Sequence, residues 1–223
     1  MHSRRRMPDP HAPSRRHQLA LAAAAAAGVA LCSAIVAGLG ADEHWPIDPR
    51  VRAALAARGH ARTRVTLQLL GNAGTLPIYG STVVLIAALM EHKRDIKHAS
   101  APILSVTAAA AAALALKHLV RRPRPVGPSG PVNERHSFPS GHTTRATAAA
   151  LIGAYLLVRE REVSARVAMP VAAAIALSTG VSRMYADAHW TTDVLGGWAL
   201  GAAAAAGGAL WYEYIRAESH DDD

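Results

Sequence analysis

The sequence predicts an all-α membrane protein, a bundle of six transmembrane helices with an amphipathic surface helix between the first two. Hydrophobic residues make up 51% of the 223 positions. They lie in continuous runs and lack the alternating pattern of a membrane β-strand. Most runs are close to the ~20 residues that a helix needs to cross ~30 Å of hydrocarbon.

The six predicted spans cover residues 19–40, 70–90, 101–119, 142–158, 167–184 and 190–212. Several are rich in alanine, which offers little apolar surface, so the 70–90 and 142–158 spans are the weakest of the set. Small residues also permit close packing of membrane helices. One membrane domain is therefore expected at 19–212, after a basic cytoplasmic flank at 1–18 and before a short polar tail at 213–223.

The stretch from Trp45 to Leu70 mixes aliphatic residues with five arginines. This composition predicts an amphipathic helix lying on the membrane surface, and a solvated loop is the alternative.

Arginines before the first span allow two interpretations, a retained cytoplasmic flank or a signal peptide. Ser14-Arg15-Arg16 resembles a twin-arginine signal. The long apolar run and the five spans that follow favour a retained helix.

The net charge of +8 is explained by membrane flanks and by cations near the motifs described next. No platform of alternating aromatic and basic residues indicates a nucleic-acid partner. Cys32 is the single cysteine, so an intrachain disulfide is excluded.

Three short polar motifs stand beside the apolar runs. They are Lys117 with Arg124-Pro125, then Pro139-Ser140-Gly141-His142, then Ser182-Arg183 with His189 and Asp193. Their order and spacing resemble the tripartite signature of the type 2 phosphatidic acid phosphatase superfamily. That signature is Lys, six residues, Arg-Pro; Pro-Ser-Gly-His; and Ser-Arg, five residues, His, three residues, Asp. Every fixed position is filled, and the resemblance covers an active-site core at 117–197. Arg122-Pro123 offers a competing register, but only Arg124-Pro125 keeps the six-residue gap.

The predicted helices also bring the motifs together without reference to any family. If successive helices alternate in direction, the ends that carry the three motifs all reach one membrane face. If the protein lies in the inner membrane with its N-terminus in the cytoplasm, that face is extracytoplasmic. In this orientation, Lys and Arg residues number twelve on each side of the membrane. Four residues on the outer side have a chemical or positional reason to lie there, and the count without them favours this orientation.

The resemblance assigns catalytic roles to His189, His142 and Asp193. His189 and Asp193 are four residues apart, which places them on one face of a helix, where the carboxylate can fix the tautomer of the imidazole. His189 is then the nucleophile, and His142 protonates the leaving oxygen. For the His189 and Asp193 pair alone, a capping histidine with a surface carboxylate is the simpler interpretation; the other motifs reverse that preference.

Five further residues are expected to bind phosphate. The start of a helix at Ser140-Gly141 favours an anion through its backbone N–H groups, although Ser140 alone could be an ordinary N-cap. Lys117, Arg124 and Arg183 supply positive charge for the transition state. Interfacial anchoring is the alternative for basic residues at a membrane boundary.

We expect neither a metal nor another cofactor. Only Glu134, Asp187 and Asp193 are acidic residues near the motifs, and three cations would repel a divalent ion. Arg135 and His136 are candidates for a supporting role beside the site.

The resemblance therefore implies a metal-independent membrane phosphatase that acts through a phosphohistidine intermediate. Its partners would be the bilayer and a lipid phosphate or diphosphate, of which undecaprenyl diphosphate, phosphatidic acid and phosphatidylglycerol phosphate are typical. Two alternatives are a vanadium-dependent haloperoxidase, whose known relatives are soluble, and a non-catalytic lipid-binding or transport protein, which would not need His142, His189 and Asp193 together.

Overall fold

The computed structural model describes residues 14–39, 45–57, 66, 69, 75–125 and 136–221, and these ranges contain helices and no strands. Seven helices have described bounds: α1 (Arg15–Gly38), α2 (Ile47–Ala57), α3 (Leu76–Lys93), α4 (Ile96–Val120), α5 (Gly141–Arg159), α6 (Ala165–Tyr185) and α7 (Thr191–Asp221). The predicted all-helical fold is confirmed in this part of the chain.

Among the described residues, four helices are long and apolar enough to cross a membrane, namely α1, α4, α6 and α7 as far as Glu218. Helices α3 and α5 stand where the two weakest spans were predicted, and they do not meet the same standard. The reason is local: α3 ends in Glu91-His92-Lys93, and α5 carries Arg145 and three threonines in its first two turns. The multi-pass character is supported, whereas a count of six spans stays a prediction.

Short polar caps define where the helices begin. Ser14 accepts the backbone N–H of His17 on its side chain at 3.2 Å, and Asp95 accepts that of His98 at 3.0 Å. These side chains satisfy donors that the first turn of a helix leaves open. At the other end of α4, Arg121 adopts the left-handed conformation, with φ of 53°, and turns the chain away from the helix axis.

Helix α7 is the centre of the bundle and packs against α1, α4 and α5. Glycines make the close approach possible: a Cβ at Gly28 would lie 2.6 Å from the backbone oxygen of Ala199, and one at Gly201 would lie 2.6 Å from that of Thr144. Small residues let membrane helices approach in this way. Large apolar side chains such as Leu31, Leu85 and Val171 instead remain exposed on the outside, where lipid would cover them.

The predicted surface segment at 45–70 contains α2, whose described residues end at Ala57 and which contacts α6 and α7. Apart from 66 and 69, residues 58–70 lie outside the described ranges. The segment predicted as a polar tail, 213–223, is part of a helix as far as Asp221, because α7 continues to that residue. Glu213 is fully buried there and accepts hydrogen bonds from Tyr155 and Arg159, which keeps this part of the helix in the bundle.

The starts of α5 and α7 and the ends of α4 and α6 carry the three motifs at one end of the bundle. To test which side this end faces, single cysteines can be placed in a Cys32→Ser background. We expect His118→Cys, exposed in the last turn of α4, to react with an impermeant thiol reagent in intact cells. Ser164→Cys, exposed at the start of α6, should react only after the membrane is opened. The reverse pattern would place the motifs in the cytoplasm.

Candidate active site

Backbone hydrogen bonds tie the three motifs together. The N–H of Ser137 donates to the carbonyl of Arg122 at 2.8 Å, which joins the first motif to the second. The N–H of Ser140 donates to the carbonyl of Asp193 at 3.0 Å, which joins the second to the third. The convergence expected from alternating helices is thus present in the structure.

His189 and Asp193 face each other as their spacing suggested. Nδ1 of the imidazole lies 3.4 Å from Oδ2 of the carboxylate, and both side chains are buried. This distance exceeds the ~2.7–2.9 Å of a charge-assisted hydrogen bond. The same carboxylate is held more closely by other donors, the N–H of Trp190 at 2.9 Å and NH1 of Arg122 at 2.6 Å. Trp190 and Arg122 therefore hold the carboxylate of Asp193 in place, and from that position it orients the imidazole of His189.

His189 precedes α7, in surroundings that favour the neutral imidazole. Burial lowers the pKa of His189 below the ordinary value. The Asp193 carboxylate raises this pKa, while the charges of Arg124 and Lys117 lower it, and the net direction is down. A neutral ring with its proton on Nδ1, towards Asp193, leaves a lone pair on Nε2.

Arg124 lies beside that nitrogen. Its NH1 group is 3.4 Å from Nε2 of His189 and donates to the carbonyl of Ala188 at 2.8 Å. Lys117 is held by the carbonyl of His136, to which Nζ donates at 2.8 Å. Both cations are thus positioned by backbone oxygens around the histidine. The backbone of His136 thus holds Lys117, while a supporting role for its side chain stays a prediction, and Arg135 lies outside the described residues.

The start of α5 carries the second motif. Ser140 is fully buried and does not cap the helix with its side chain; instead its Oγ accepts a hydrogen bond from Thr143 at 2.9 Å. Ser140 is thus the N-cap residue of α5 by position, but its hydroxyl makes no capping hydrogen bond, and its role in binding phosphate stays a prediction. Gly141 is buried, and a Cβ there would lie 3.2 Å from NH1 of Arg145. His142 is partly buried in the first turn.

Arg183 stands in the last turn of α6, where its Nε donates to Oγ of Ser182 at 3.2 Å. Its carbonyl accepts the N–H of Ala188 at 3.1 Å, one residue before His189. The loop that carries the histidine is therefore fastened to the end of α6.

Sequence reasoning missed the centre of this arrangement, Arg122. This side chain is only 1% exposed and donates from NH1 to Asp193 and Thr192 and from NH2 to Asp48, at 2.6–2.8 Å. In the sequence, Arg122 looks only like a competing register of the Arg-Pro motif, because its partners lie far away along the chain. The proline on its C-terminal side gave no indication of a buried network.

Asp48 was missed as well, although it lies in the segment predicted as a surface helix. It is fully buried in the first turn of α2, and its carboxylate also accepts the backbone N–H of Thr192 at 2.9 Å. A second link comes from Arg52, which donates from Nε and NH2 to the carboxylate of Asp187, each at 2.7 Å. Helix α2 is thus bound to the loop and helix start that carry His189 and Asp193.

Within the described ranges, no group of three or more His, Cys, Asp or Glu residues could hold a metal ion. The side chains that surround His189 are mainly cationic. The chemistry available to this donor set is the binding of an anion and the transfer of a group to or from the imidazole.

Comparison with known families gives a match between residues 99–217 and the model of the PAP2 superfamily. This range is more than half of the chain and includes all three motifs.

Two curated relatives are each 36% identical to the chain, over 89 and 91 residues. They are phosphatidylglycerophosphatase B of Bacillus subtilis and decaprenylphosphoryl-5-phosphoribose phosphatase of Mycolicibacterium smegmatis. Each alignment covers 39% of this chain, and 44% and 45% of the two relatives. The similarity is therefore confined to less than half of each protein.

Two solved structures share the fold. A transmembrane PAP2-type phosphatidylglycerolphosphate phosphatase from Bacillus subtilis has a TM-score of 0.70 at 22% identity, covering 88% of this chain and 98% of that one. Aquifex aeolicus LpxE has a TM-score of 0.57 at 20% identity, covering 74% and 96%. At these identities the likeness concerns the fold alone.

The buried network makes a prediction about stability. Asp48→Ala would leave Arg122 with one carboxylate partner instead of two, and breaking a buried ion pair costs about 3–5 kcal/mol. We expect a clear fall in the thermal unfolding midpoint of the detergent-solubilised protein. The matched control is Arg52→Ala on the same helix, where the side chain is 38% exposed and the pair is worth about 1 kcal/mol or less. Equal losses in both variants would contradict a special role for the buried carboxylate.

Proposed function

The chain belongs to the PAP2 superfamily, and from that premise we propose that it is a membrane phosphatase that hydrolyses a lipid phosphate or diphosphate through a phosphohistidine intermediate. The observation that carries this proposal is the setting of His189. Its Nδ1 faces a fixed carboxylate, its Nε2 lies next to the guanidinium of Arg124, and its pKa is lowered. A neutral imidazole next to an anion-binding group is what nucleophilic attack on phosphorus requires.

In the proposed first step, the Nε2 lone pair of His189 attacks phosphorus. The bond between phosphorus and the leaving oxygen breaks as the N–P bond forms. His142 gives its proton to that oxygen, so that an alcohol or a phosphate departs. Asp193 stabilises the positive charge that develops on the imidazole, from the position that Arg122 and Trp190 give it.

In the second step, water attacks the phosphohistidine while His142 takes a proton from it. The N–P bond breaks, phosphate is released, and His189 returns to its neutral form. Lys117, Arg124 and Arg183 offset the charge on the phosphoryl oxygens in both steps. At the start of α5, the N–H of Gly141 and the hydroxyl of Ser140 are the proposed further donors, because the N–H of Ser140 itself donates to Asp193. Because catalysis of this kind depends on fixed cations, the proposal includes independence from metal ions.

The proposed substrate is a lipid, since the site lies at the end of a membrane bundle. Both curated relatives are named as phosphatases of phosphorylated lipids or lipid-linked sugars. A lipid phosphomonoester of the phosphatidylglycerol phosphate or phosphatidic acid type therefore comes first, and undecaprenyl diphosphate is the diphosphate to compare. The proposed location is the inner membrane, with the site on the extracytoplasmic side.

Phosphate release by the purified protein tests this function. We expect release from at least one of these three lipids, and we expect EDTA to leave the rate unchanged, because the cations that neutralise the phosphate belong to the protein. Activity that is lost in EDTA and restored by Mg²⁺ would overturn the metal-free mechanism. Lack of release from every lipid would overturn the function.

The nucleophile can be tested by comparing two variants. His189→Ala removes the atom that forms the N–P bond, so turnover should fall to the background rate. Asp193→Asn keeps the nucleophile and harms only its orientation and the stabilisation of charge, so a reduced activity should remain. Trapping of labelled phosphate on the protein in acid-quenched reactions, absent in His189→Ala, measures the intermediate directly. Substantial turnover by His189→Ala would contradict the mechanism.

The role of His142 can be tested with leaving groups of different basicity. A general acid matters most when a strongly basic alkoxide departs and less when a phosphate departs. His142→Ala should therefore reduce kcat/KM more for a lipid monophosphate than for a diphosphate. An aryl phosphate with an acidic phenol, if it is a substrate at all, should suffer least. Equal losses on every substrate would show that His142 positions the phosphate and does not deliver the proton.

A further inference from the structure

An arginine that the proposed reaction does not use lies just beyond the second motif. Arg145 is on α5, which packs against α3, α4, α6 and α7, and its side chain is partly buried. Side chains of a helix point towards its N-terminus, and the guanidinium of Arg145 accordingly lies back towards the start of α5. Its NH1 group is 3.2 Å from the position that a Cβ on Gly141 would take. The charge of Arg145 is therefore beside the proposed phosphate site.

A positive charge is costly at this position for two reasons. The start of a helix is the positive end of its dipole, which disfavours a cation. Ionised groups inside a membrane bundle are also kept where they have partners. The ring of Tyr79 on α3 is one partner, with its centroid 5.3 Å from Cζ of Arg145. That ring attracts a cation, but it is neutral and does not cancel the charge.

The other arginines buried in the bundle show what is missing here. Arg122 forms an ion pair with Asp193, and Arg159 forms one with Glu213. Among the residues that the structure describes, no carboxylate pairs with Arg145, and its buried Nε has no hydrogen-bond partner. A guanidinium in this setting suits an anion that arrives with a ligand.

The place of Arg145 on α5 indicates which part of a substrate it would meet. Arg145 follows His142 by three residues and Gly141 by four, and these spacings place the three residues on one face of the helix. His142 is the proposed donor of a proton to the leaving oxygen. Because the site lies at the end of the bundle, the lipid chains of a substrate extend from it towards the membrane interior. A group between the leaving oxygen and those chains therefore lies near Arg145.

We propose that Arg145 binds a second phosphate group, carried by the leaving group of the substrate. This inference rests on the proposed function and names its substrate class: a lipid diphosphate, or a lipid that has a phosphodiester besides its terminal phosphate, as phosphatidylglycerol phosphate has. When the bond between phosphorus and the leaving oxygen breaks, the second phosphate departs with that oxygen, and the guanidinium offsets its charge. Phosphatidic acid has no such group, since a neutral diacylglycerol departs from it.

The test compares Arg145→Gln with Arg50→Gln. Glutamine removes the charge and keeps a long side chain with good helix propensity. Arg50 is exposed on α2, two residues after Asp48, and is the matched loss of one positive charge. The purified protein is assayed for kcat/KM with phosphatidic acid, phosphatidylglycerol phosphate and undecaprenyl diphosphate.

We expect Arg145→Gln to lower kcat/KM roughly tenfold or more for at least one of the two substrates with a second phosphate, as for the loss of a hydrogen bond to a charged group. The value for phosphatidic acid should stay nearly unchanged, and Arg50→Gln should match the wild type on all three. A loss on one of the two substrates identifies the spacing between phosphates that Arg145 recognises. A loss on both shows that either spacing fits.

Arg145→Lys separates recognition from a role in folding. Lysine keeps the charge but lacks the planar fork of the guanidinium, so it should recover part of the lost kcat/KM on the same substrate. If Arg145→Gln is too unstable to purify, the lysine variant alone should still show a smaller loss that spares phosphatidic acid. A purely structural role would instead lower kcat/KM for all three lipids in parallel with the thermal unfolding midpoint.

Binding without turnover separates this inference from the proposed function. Methylenediphosphonate has two phosphorus groups joined through carbon, so cleavage of a phosphate ester does not consume it. It is titrated against the detergent-solubilised protein, beside inorganic phosphate, and the thermal unfolding midpoint gives an apparent Kd for each. Arg145→Gln should weaken methylenediphosphonate roughly tenfold and inorganic phosphate much less.

Two kinetic results would overturn the proposal: equal losses in Arg145→Gln on phosphatidic acid and on the other lipids, or no loss on any of them. An equal loss in Arg50→Gln would overturn it as well. A wild-type protein that releases no phosphate from any lipid contradicts the proposed function instead, and the binding comparison then decides. Equal affinities of the wild type and Arg145→Gln for methylenediphosphonate would in that case refute the assignment of Arg145.

Discussion

The candidate site depends on one buried cation, Arg122, held between the carboxylates of Asp48 and Asp193. Two negative charges around one positive charge need further donors. They come from Thr192, whose N–H and hydroxyl both donate to Asp48, and from the N–H of Trp190, which donates to Asp193. A buried ion pair adds little stability by itself, because desolvation offsets most of the attraction. Its effect is geometric, since it fixes three separate segments in one arrangement.

The guanidinium of Arg122 also lies over the ring of Trp190, with that of Arg52 at the same distance of 5.6 Å from the ring centroid. The indole N–H donates to the carbonyl of Pro123 at 3.0 Å. Helix α2, the chain after α4 and the start of α7 thus share one compact polar junction. This junction also fixes the position of the proposed nucleophile, His189, because Trp190 is its neighbour in the chain and Asp193 is its partner in space. A disturbance of α2 would therefore reach the imidazole through Arg122.

Helix α7 has a buried carboxylate paired with an arginine near each of its ends. Asp193 in its first turn and Glu213, eight residues before its last residue, are fully buried, and each is held by an arginine from another part of the chain. Between them, small residues permit close contact with α1 and α5. Ionised groups inside a membrane bundle are costly and are kept where they pair with one another. Two such pairs fix the position of the central helix along its axis, which glycine and alanine contacts alone would leave free to slide.

The sequence was sufficient for features that depend on local pattern. Apolar runs predicted the helices, and the resemblance to a family signature pointed to Lys117, Arg124, Arg183, His189 and Asp193. Alternation of helix direction predicted that their helix ends would lie at one face. The sequence was insufficient where a contact joins distant segments. The partner of Arg122 at Asp48 is 74 residues away, and that of Thr192 is 144 residues away. A carboxylate in an amphipathic segment looks like a solvated residue until the structure shows what it touches, and the burial of Glu213 escaped prediction for the same reason.

The charge balance around His189 explains why the site would combine a histidine nucleophile with so many cations. Before phosphate arrives, burial and the charges of Arg124 and Lys117 lower the pKa of the imidazole, so the ring is neutral and its lone pair available. The phosphate brings negative charge that offsets those cations, which removes their unfavourable effect on a positive ring when the N–P bond forms. Asp193 stabilises that ring from the other side, and it remains ionised and in place because Arg122 holds it. In the proposed reaction, Arg124 and Lys117 therefore keep the free histidine neutral. They no longer disfavour a positively charged imidazole once the substrate is bound.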